Sequence, residues 1–427
     1  MMKTIIYKQG MDLDTILKRK EDEREDIHNA VLEIIKGVKN DGNAALLYYT
    51  QALDHCVLTH LQVTEEEIET AFSAVADELL DIIREAAQNI RDFHEKQLET
   101  TWTYSPKPGV ILGQHITPIE RVGLYVPGGK ATYPSTVLMD AIPALVAGVK
   151  SLVMVTPPGR DGKINPTILA AAKIAGVHEI YKLGGAQAIA ALAYGTETIK
   201  PVNKIVGPGN IYVATAKKEV FGKVDIDMIA GPSEVLIIAD ENANPVYAAA
   251  DLLSQAEHDE LAMPILVTTS AELGEQVIEE VYRQISKDLS RKEIAKKSVD
   301  DYGFVFIVKD LDEAFELSNQ IAPEHLELLI KDPMASLEKV KNAGAIFMGA
   351  YTPEPLGDYF AGPNHTLPTS GTAKFSSPLG VYDYLKKSSI LSYDQAALQS
   401  VYPKIASFAR CEGLDAHAKA VERRFED

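Results

Sequence analysis

Gln255 and His258 stand three residues apart in the stretch Asp251-Leu-Leu-Ser-Gln-Ala-Glu-His258. Leu252, Leu253 and Ala256 are apolar, and no Gly or Pro interrupts before Pro264. The spacing predicts a helix on which both side chains leave one face, a turn apart. An amide oxygen and an imidazole nitrogen so placed can each give a lone pair to one metal ion. Two ligands do not close a site. An Asp such as Asp358 and one more His from distant segments would be needed, and oxygen and nitrogen donors without sulfur suit zinc, manganese or another first-row ion.

Histidine supplies the next filter. His28, His55, His60, His94, His115 and His178 fall in helical or surface patterns without polar company, where a solvated or satisfied ring is expected. Four others have unusual surroundings. Besides His258 these are His325 in Ala322-Pro-Glu-His-Leu326, beside Glu324, and His365 at the end of the Gly- and Pro-rich loop Gly357-Asp-Tyr-Phe-Ala-Gly-Pro-Asn-His365. The fourth is His417, in Glu412-Gly-Leu-Asp-Ala-His417. Polar residues on such loops are better placed for chemistry than the same residues on helices. There is no His-Glu-x-x-His and no cysteine cluster, so no familiar zinc signature is present.

Three glycine turns complete the set: Val126-Pro-Gly-Gly129, Leu183-Gly-Gly-Ala-Gln187 and Val206-Gly-Pro-Gly-Asn210. Each follows a predicted strand and precedes a helix or loop, which puts open backbone N–H groups at the carboxyl edge of a sheet, where anions bind. None is a Gly-x-Gly-x-x-Gly. A single glycine turn is ordinarily a tight connection. Three on one edge point to a binding crevice without naming its ligand.

The elements that must carry these residues follow from periodicity. Residues 1–25 are polar, and the charge run Lys18 to Asp26 reads as a solvated helix face. Ile27, Val31, Ile34, Ile35 and Val38 recur at helical spacing up to the break at Asp41-Gly42, and a second helix covers about 44–53. Thr64-x-x-Glu67 is a capping box that opens a long amphipathic helix carrying Ile68, Phe72, Leu79, Ile82, Ile83 and Ile90. From about residue 110 short apolar runs alternate with helices of ten to fifteen residues, which predicts parallel sheets covered by helices. The fold class expected is α/β, with two Rossmann-like parallel-sheet domains, one inserted in the other, plus helical terminal segments. The expected boundaries are an N-terminal helical extension at 1–25, a discontinuous α/β domain at 26–130 and 236–376, an inserted nucleotide-binding domain at 131–235 and a helical tail at 377–427.

Composition bounds the partners. At 427 residues the chain exceeds one ordinary core. A net charge of −19 argues against nucleic acid or an anionic membrane as the main partner. Cys56 and Cys411 form no disulfide framework, and the first ten residues lack the apolar run of a signal peptide. The run Val137 to Val155 is broken by Asp140, Pro143 and Lys150 and predicts no membrane span. A cytoplasmic location is expected.

Together the segments resemble the histidinol dehydrogenase family. The resemblance is carried by Gly123-Leu-Tyr-Val-Pro-Gly-Gly129, Gly184-Gly-Ala-Gln-Ala-Ile-Ala-Ala-Leu192, Val206-Gly-Pro-Gly-Asn210, Ala230-Gly-Pro-Ser-Glu-Val235 and Ser254-Gln-Ala-Glu-His258. It continues in Ala322-Pro-Glu-His-Leu326, Gly362-Pro-Asn-His-Thr-Leu-Pro-Thr369 and His417, all in the family's order. It implies oxidation of L-histidinol to L-histidine through the aldehyde, with two NAD⁺ per turnover, as the last step of histidine biosynthesis. By the same resemblance Gln255, His258, Asp358 and His417 match one zinc site per subunit, and Glu324 and His325 match the acid–base pair. Ser233, His365 and Glu412 match substrate contacts, which the four metal ligands and His325 also line, and Tyr125, Gln187 and Asn210 match NAD contacts. A homodimer is implied in which Glu412 and His417 act in the partner's site. The competing readings are a dehydrogenase of the same scaffold for another small alcohol, such as a sulfonate diol, and a metal-dependent hydrolase. The hydrolase would not need three glycine turns, and a non-catalytic nucleotide scaffold would not need the histidines.

Overall fold

The computed structural model describes residues 1–18, 25–128 and 132–426. Most of the charge run, Gly129 of the first glycine turn and the expected boundary at 131 lie outside the described residues. In chain order, strand β1 (Lys3–Ile6) and helix α1 (Leu13–Ile16) precede α2 (Glu25–Leu53), α3 (Glu65–Ala74) and α4 (Asp77–His94). There follow β2 (Trp102–Tyr104), β3 (Val110–Pro118), β4 (Arg121–Tyr125), α5 (Pro134–Val146), β5 (Ser151–Thr156), α6 (Pro166–Ala175) and β6 (Glu179–Lys182). Next come α7 (Gly185–Tyr194), β7 (Lys204–Val206), α8 (Ile211–Val220), β8 (Asp225–Ile226), β9 (Glu234–Ala239), α9 (Pro245–Ala256) and β10 (Met263–Thr268). Then α10 (Ala271–Lys287), α11 (Lys292–Tyr302), β11 (Phe304–Ile307), α12 (Leu311–Ile321), β12 (His325–Leu329), β13 (Ala345–Met348) and α13 (Glu354–Tyr359) lead to β14 (Leu385–Tyr393), α14 (Gln395–Gln399), α15 (Tyr402–Cys411) and α16 (Asp415–Glu422).

The chain divides into two compact units. The larger comprises Met1–Gln97 and Glu120–Asp383, the smaller Leu98–Ile119 and Tyr384–Asp427. The larger unit holds two parallel sheets, in the orders β1-β11-β10-β9-β12-β13 and β6-β5-β4-β7-β8. Both are buried on two faces, which explains why strands such as Glu234–Ala239 and Met263–Thr268 read as continuous apolar runs rather than alternating ones. In the second sheet the chain builds outward from β4 through β5 to β6, then returns to place β7 and β8 on β4's other side. The reversal between β4 and β7 is a topological switch point, where a crevice opens at the carboxyl ends of the strands.

Several elements depart from the sequence expectation. β1 stands in place of a wholly helical N-terminal extension; its Thr-Ile-Ile run pairs in parallel with β11. β4 is the central strand of the second sheet, so that sheet begins at Arg121 rather than at residue 131. The N-terminal helices also accompany the second sheet. Ile27, Val31, Ile34, Ile35, Val38 and Leu46 of α2 share a core with Ile189, Leu192 and Val213 of α7 and α8, and α3 and α4 pack on α6 and α5. Each such side chain, once fully buried, contributes about 1.5–3 kcal/mol, which outweighs any preference set by chain proximity. The capping box forms as expected, but Val75 and Ala76 take extended dihedrals and split the long helix into α3 and α4. Gly42, at φ 50° and ψ −127°, interrupts α2 where the break was expected. A 3₁₀ helix, Met334–Lys339, lies between β12 and β13, and α11 was not foreseen.

The smaller unit contains an antiparallel sheet, β14-β3-β2, of which β14 falls in the tail expected to be helical. Strand β14 pairs with β3 over nine residues, from Leu385 opposite Pro118 to Tyr393 opposite Val110. Its sequence, Leu-Lys-Lys-Ser-Ser-Ile-Leu-Ser-Tyr, is largely exposed and lacks the alternation that marks a half-buried strand. Helices α15 and α16 are joined by a bidentate pair from Arg410 to Glu422 at 2.8 and 2.7 Å. No helix among the described residues is long and apolar enough to cross a membrane.

Candidate active site and metal centre

The first element to place is β12. Ala322 caps α12 in a left-handed conformation, φ 54°, and turns the chain so that Glu324 and His325 enter β12 at its amino end. There His325 lies beside Val235 of β9, and Glu234, the first residue of β9, holds both members of the pair. Its carbonyl accepts from His325 Nδ1 at 2.8 Å, and its N–H donates to Glu324 Oε2 at 2.9 Å. With the proton fixed on Nδ1, the lone pair is on Nε2, which has no hydrogen-bond partner among the described residues. Burial pushes the His325 pKa below its ordinary value, against the opposing pull of Glu354 and the Glu234 carbonyl. The ring is therefore neutral at neutral pH and able to accept a proton at Nε2.

Nε2 faces carboxylates. It lies 3.9 Å from Glu354 Oε1 and 3.9 Å from Asp358 Oδ1, and ligand atoms of His325, Glu354 and Asp358 all fall within 4.8 Å of one another. Pro353 precedes α13, which sets Glu354 and Asp358 four residues apart on one helical face. Glu354 accepts from Ser254 Oγ at 2.8 Å, and its N–H donates to Glu327 Oε1 at 3.1 Å. Burial raises the Asp358 pKa well above the ordinary range, reinforced by the Glu354 charge. Burial also opposes ionisation of Glu354, but His325 and the hydrogen bonds from Asp358 and Ser254 outweigh it and hold its carboxyl low. Beneath them Glu327, raised by burial and by Asp251, shares a proton with Asp251, itself lifted by burial to about 6.

Helix α9 runs against the strands and delivers its carboxyl end to this edge, where the negative end of the helix dipole favours a cation. The helix ends at Ala256, two residues short of the expected span. His258 is held instead by a tighter turn, its N–H donating to the Gln255 carbonyl at 3.1 Å. Gln255 is 1% exposed and its Nε2 has no partner among the described residues, so a half turn of the amide presents an unengaged oxygen. His258 lies near His325, Glu354 and His365. The buried imidazole of His325 and the carboxyls of Glu354 and Asp358 could hold a metal ion, and the unpaired Gln255 amide is buried at the carboxyl end of α9.

His365 is engaged at both nitrogens. Nδ1 donates to the Asp358 carbonyl at 3.0 Å, and Thr136 Oγ1 pairs with Nε2 at 3.2 Å. Burial pushes its pKa down to about 4. Ser233 is half-buried just before β9. Glu412 and His417 belong to the smaller unit, where both are exposed, Glu412 capping α15 and His417 lying in α16. Glu354 was not singled out from sequence; its signal was the Pro-Glu-x-x-x-Asp spacing, which puts two carboxyls on one helical turn. Glu327 had a plainer signal, as an acid in the middle of the fully buried His325-Leu-Glu-Leu-Leu329.

The glycine turns lie at the carboxyl edge of the second sheet. Tyr125 ends β4, is 3% exposed and accepts from the Gly185 N–H at 3.0 Å; burial pushes its phenol up to about 12. Gln187 lies in the first turn of α7 with Oε1 unpaired among the described residues. Gly207 follows β7 at φ 110°, where a Cβ would sit 2.1 Å from the Tyr125 carbonyl oxygen, so only glycine fits. Asn210 caps α8, its Oδ1 accepting from Tyr212 and Val213 N–H groups at 3.0 and 3.2 Å. Behind this turn Lys217 donates to the Gly207 carbonyl at 3.0 Å and pairs with Asp227, which accepts from the Gly207 N–H at 2.7 Å. The ion pair is almost fully buried, and removing one partner from such a pair costs about 3–5 kcal/mol.

A glycine-lined switch point for a dinucleotide, and a neutral imidazole with a free lone pair among carboxylates, are what an alcohol-oxidising dehydrogenase requires. The sequence model of the histidinol dehydrogenase family matches residues 17–425, and the chain belongs to that family. It is 58% identical to the histidinol dehydrogenase of Bacillus licheniformis over 99% of this chain and 96% of that protein. Identity to the Bacillus subtilis histidinol dehydrogenase is 56%, over 94% of this chain and 93% of the relative. The crystal structure of histidinol dehydrogenase from Elizabethkingia anophelis superposes with a TM-score of 0.95 at 40% identity, covering 99% of this chain and 98% of that one.

Proposed function

We propose that the chain oxidises L-histidinol to L-histidine in two steps, with NAD⁺ in the second-sheet crevice and zinc at the amino edge of the first sheet. The single observation that carries the assignment of roles is the bond from His325 Nδ1 to the Glu234 carbonyl, which leaves Nε2 as the acceptor of the substrate's hydroxyl proton. NAD⁺, when bound, accepts the hydride released at each step. Zinc, when bound, supplies a fixed point for the substrate's imidazole and amino nitrogens. Gln255, His258 and Asp358 would hold the metal, with His417 as the fourth ligand. Orientation of this kind lowers a barrier by several kcal/mol.

The first product is an aldehyde, which cannot lose a second hydride until water has added to it. Glu324, held by the Glu234 N–H, would take a proton from that water. Ser233, His365 and Glu412 would line the substrate, and Tyr125, Gln187 and Asn210 the dinucleotide. His365 also carries the Asp358 main chain, so it fixes a metal ligand as well as lining the site. We infer further that two chains pair and that Glu412 and His417 complete the partner's site. A biosynthetic role of this kind agrees with a cytoplasmic location.

The test is NADH formation from NAD⁺ and L-histidinol by the purified protein, with and without a chelator. Turnover that the chelator abolishes and zinc restores supports the proposal. Turnover only with another alcohol, such as a sulfonate diol, would replace the substrate. Hydrolysis without reduction of NAD⁺ would replace the class.

A further inference from the structure

Helix α5 bonds to the histidine-bearing loop on one side and packs against the Gly207 turn on the other. Pro143 lies inside the helix and has no N–H, so the Met139 carbonyl one turn earlier lacks its helical donor. Asn364 Nδ2 supplies that donor at 2.7 Å. The next two residues dock on the same face: His365 through Thr136, and Thr366 through its hydroxyl to Asp140 Oδ1 at 3.5 Å. Three consecutive residues of the histidine-bearing loop are therefore fastened to one stripe of α5, at positions 136, 139 and 140.

Asp140 also reaches the other way. It is fully buried, and its Oδ2 lies against Gly207, only 2.8 Å from where a Cβ would stand on that glycine. Across the turn are Lys217 and Asp227, and both act on its carboxyl. Burial, then Asp227, raises its pKa well above the usual range, with Lys217 and Thr366 opposing.

We propose that Asp140 is a positioning residue that ties the Asn364–Thr366 segment to the Gly207–Asn210 turn, setting the substrate side and the nucleotide side of the reaction relative to one another. The proposal rests on the reading of those two segments as substrate and NAD⁺ sites. Its structural content, a mechanical link between them, does not. Loss of the link should appear at the end that was not altered.

Thr366→Val removes one hydroxyl from the loop and nothing from the turn. In the zinc-loaded protein it should speed hydrogen–deuterium exchange at amides 206–211 and raise KM for NAD⁺ about threefold or more. Asp140→Ala should loosen both segments, and combining it with Thr366→Val should add little to either change. Asp140→Asn, of the same shape and still able to accept from Thr366, should restore exchange and both KM values to near those of the parent. A general loss of stability would instead lower the melting temperature without this split. Exchange changes confined to 362–367 in Thr366→Val, or effects of the two substitutions that simply multiply, would overturn the link. If Asp140→Ala does not fold, Thr366→Val and Asp140→Asn decide the matter alone. Asn210→Ala with an unchanged KM for NAD⁺ would overturn the assignment of the turn, a separate result, because the exchange measurement needs no nucleotide.

Discussion

His325 and Glu234 are joined by a 2.8 Å bond from the imidazole Nδ1–H to a main-chain carbonyl. A strand end, not another side chain, therefore sets which nitrogen of the base is free. Replacing His325 by Gln keeps a donor near that carbonyl but removes the basic lone pair. His325→Gln should lower kcat about 10²- to 10⁴-fold with little change in KM for L-histidinol, as expected for loss of proton transfer. Steady-state kinetics decide this, and a KM rise with intact kcat would assign His325 to binding.

Glu324 is anchored by the same residue, through the Glu234 N–H at 2.9 Å. An amide oxygen can accept that bond, so Glu324→Gln should preserve the local fold and remove only the proton acceptor. Aldehyde oxidation should fall more than alcohol oxidation when the two half-reactions are measured separately. Equal losses in both would remove Glu324 from the hydration step.

The proposed metal ligands come from both units of the chain, which makes complementation informative. His258→Ala and His417→Ala should each lose bound zinc, measured by elemental analysis, and each be inactive alone. Mixed after dissociation and reassociation, they should regain part of the activity, because one of the two sites in a mixed dimer then has all its ligands. No recovery would place His417 in the site of its own chain.

Asp54 offers a stability measurement away from the metal. It lies half-buried after α2, its Oδ2 unpaired among the described residues, and burial raises its pKa from 3.8 to about 6, with His55 opposing. A carboxyl that holds its proton more tightly when folded supports the fold at low pH and withdraws that support as pH rises from about 4 through 6. Asp54→Asn should therefore raise stability at about pH 8, by about 1 kcal/mol once solvent screening of this partly exposed group is discounted. It should change nothing at about pH 4. An equal gain at both, read from melting curves, would mean the effect is not ionisation.

The parallel sheets were legible because their strands are short apolar runs closed by glycine, and β5, α6, β7 and α8 show the strand–helix alternation expected from about residue 110. The strand β14 was not, because an exposed strand of Lys and Ser carries no period. The pairing of α2 with α7 and α8 was also hidden, since a helix's apolar stripe states that it is buried but not against what. At the site, His325, Asp358 and Gln255 were singled out through histidine context and the family resemblance. Glu354 escaped both, because an acid after a proline reads as an ordinary helix start until the fold turns it toward an imidazole.

The core that α2 shares with α7 and α8 has a consequence for synthesis of the chain. The stripe from Ile27 to Leu46 leaves the ribosome about 150 residues before the end of α7, its partner, is made. At roughly 5–20 residues per second, that apolar face waits on the order of ten to thirty seconds for its cover. A nascent chain stalled within that interval should be the form of this protein most readily bound by chaperones and most prone to aggregate.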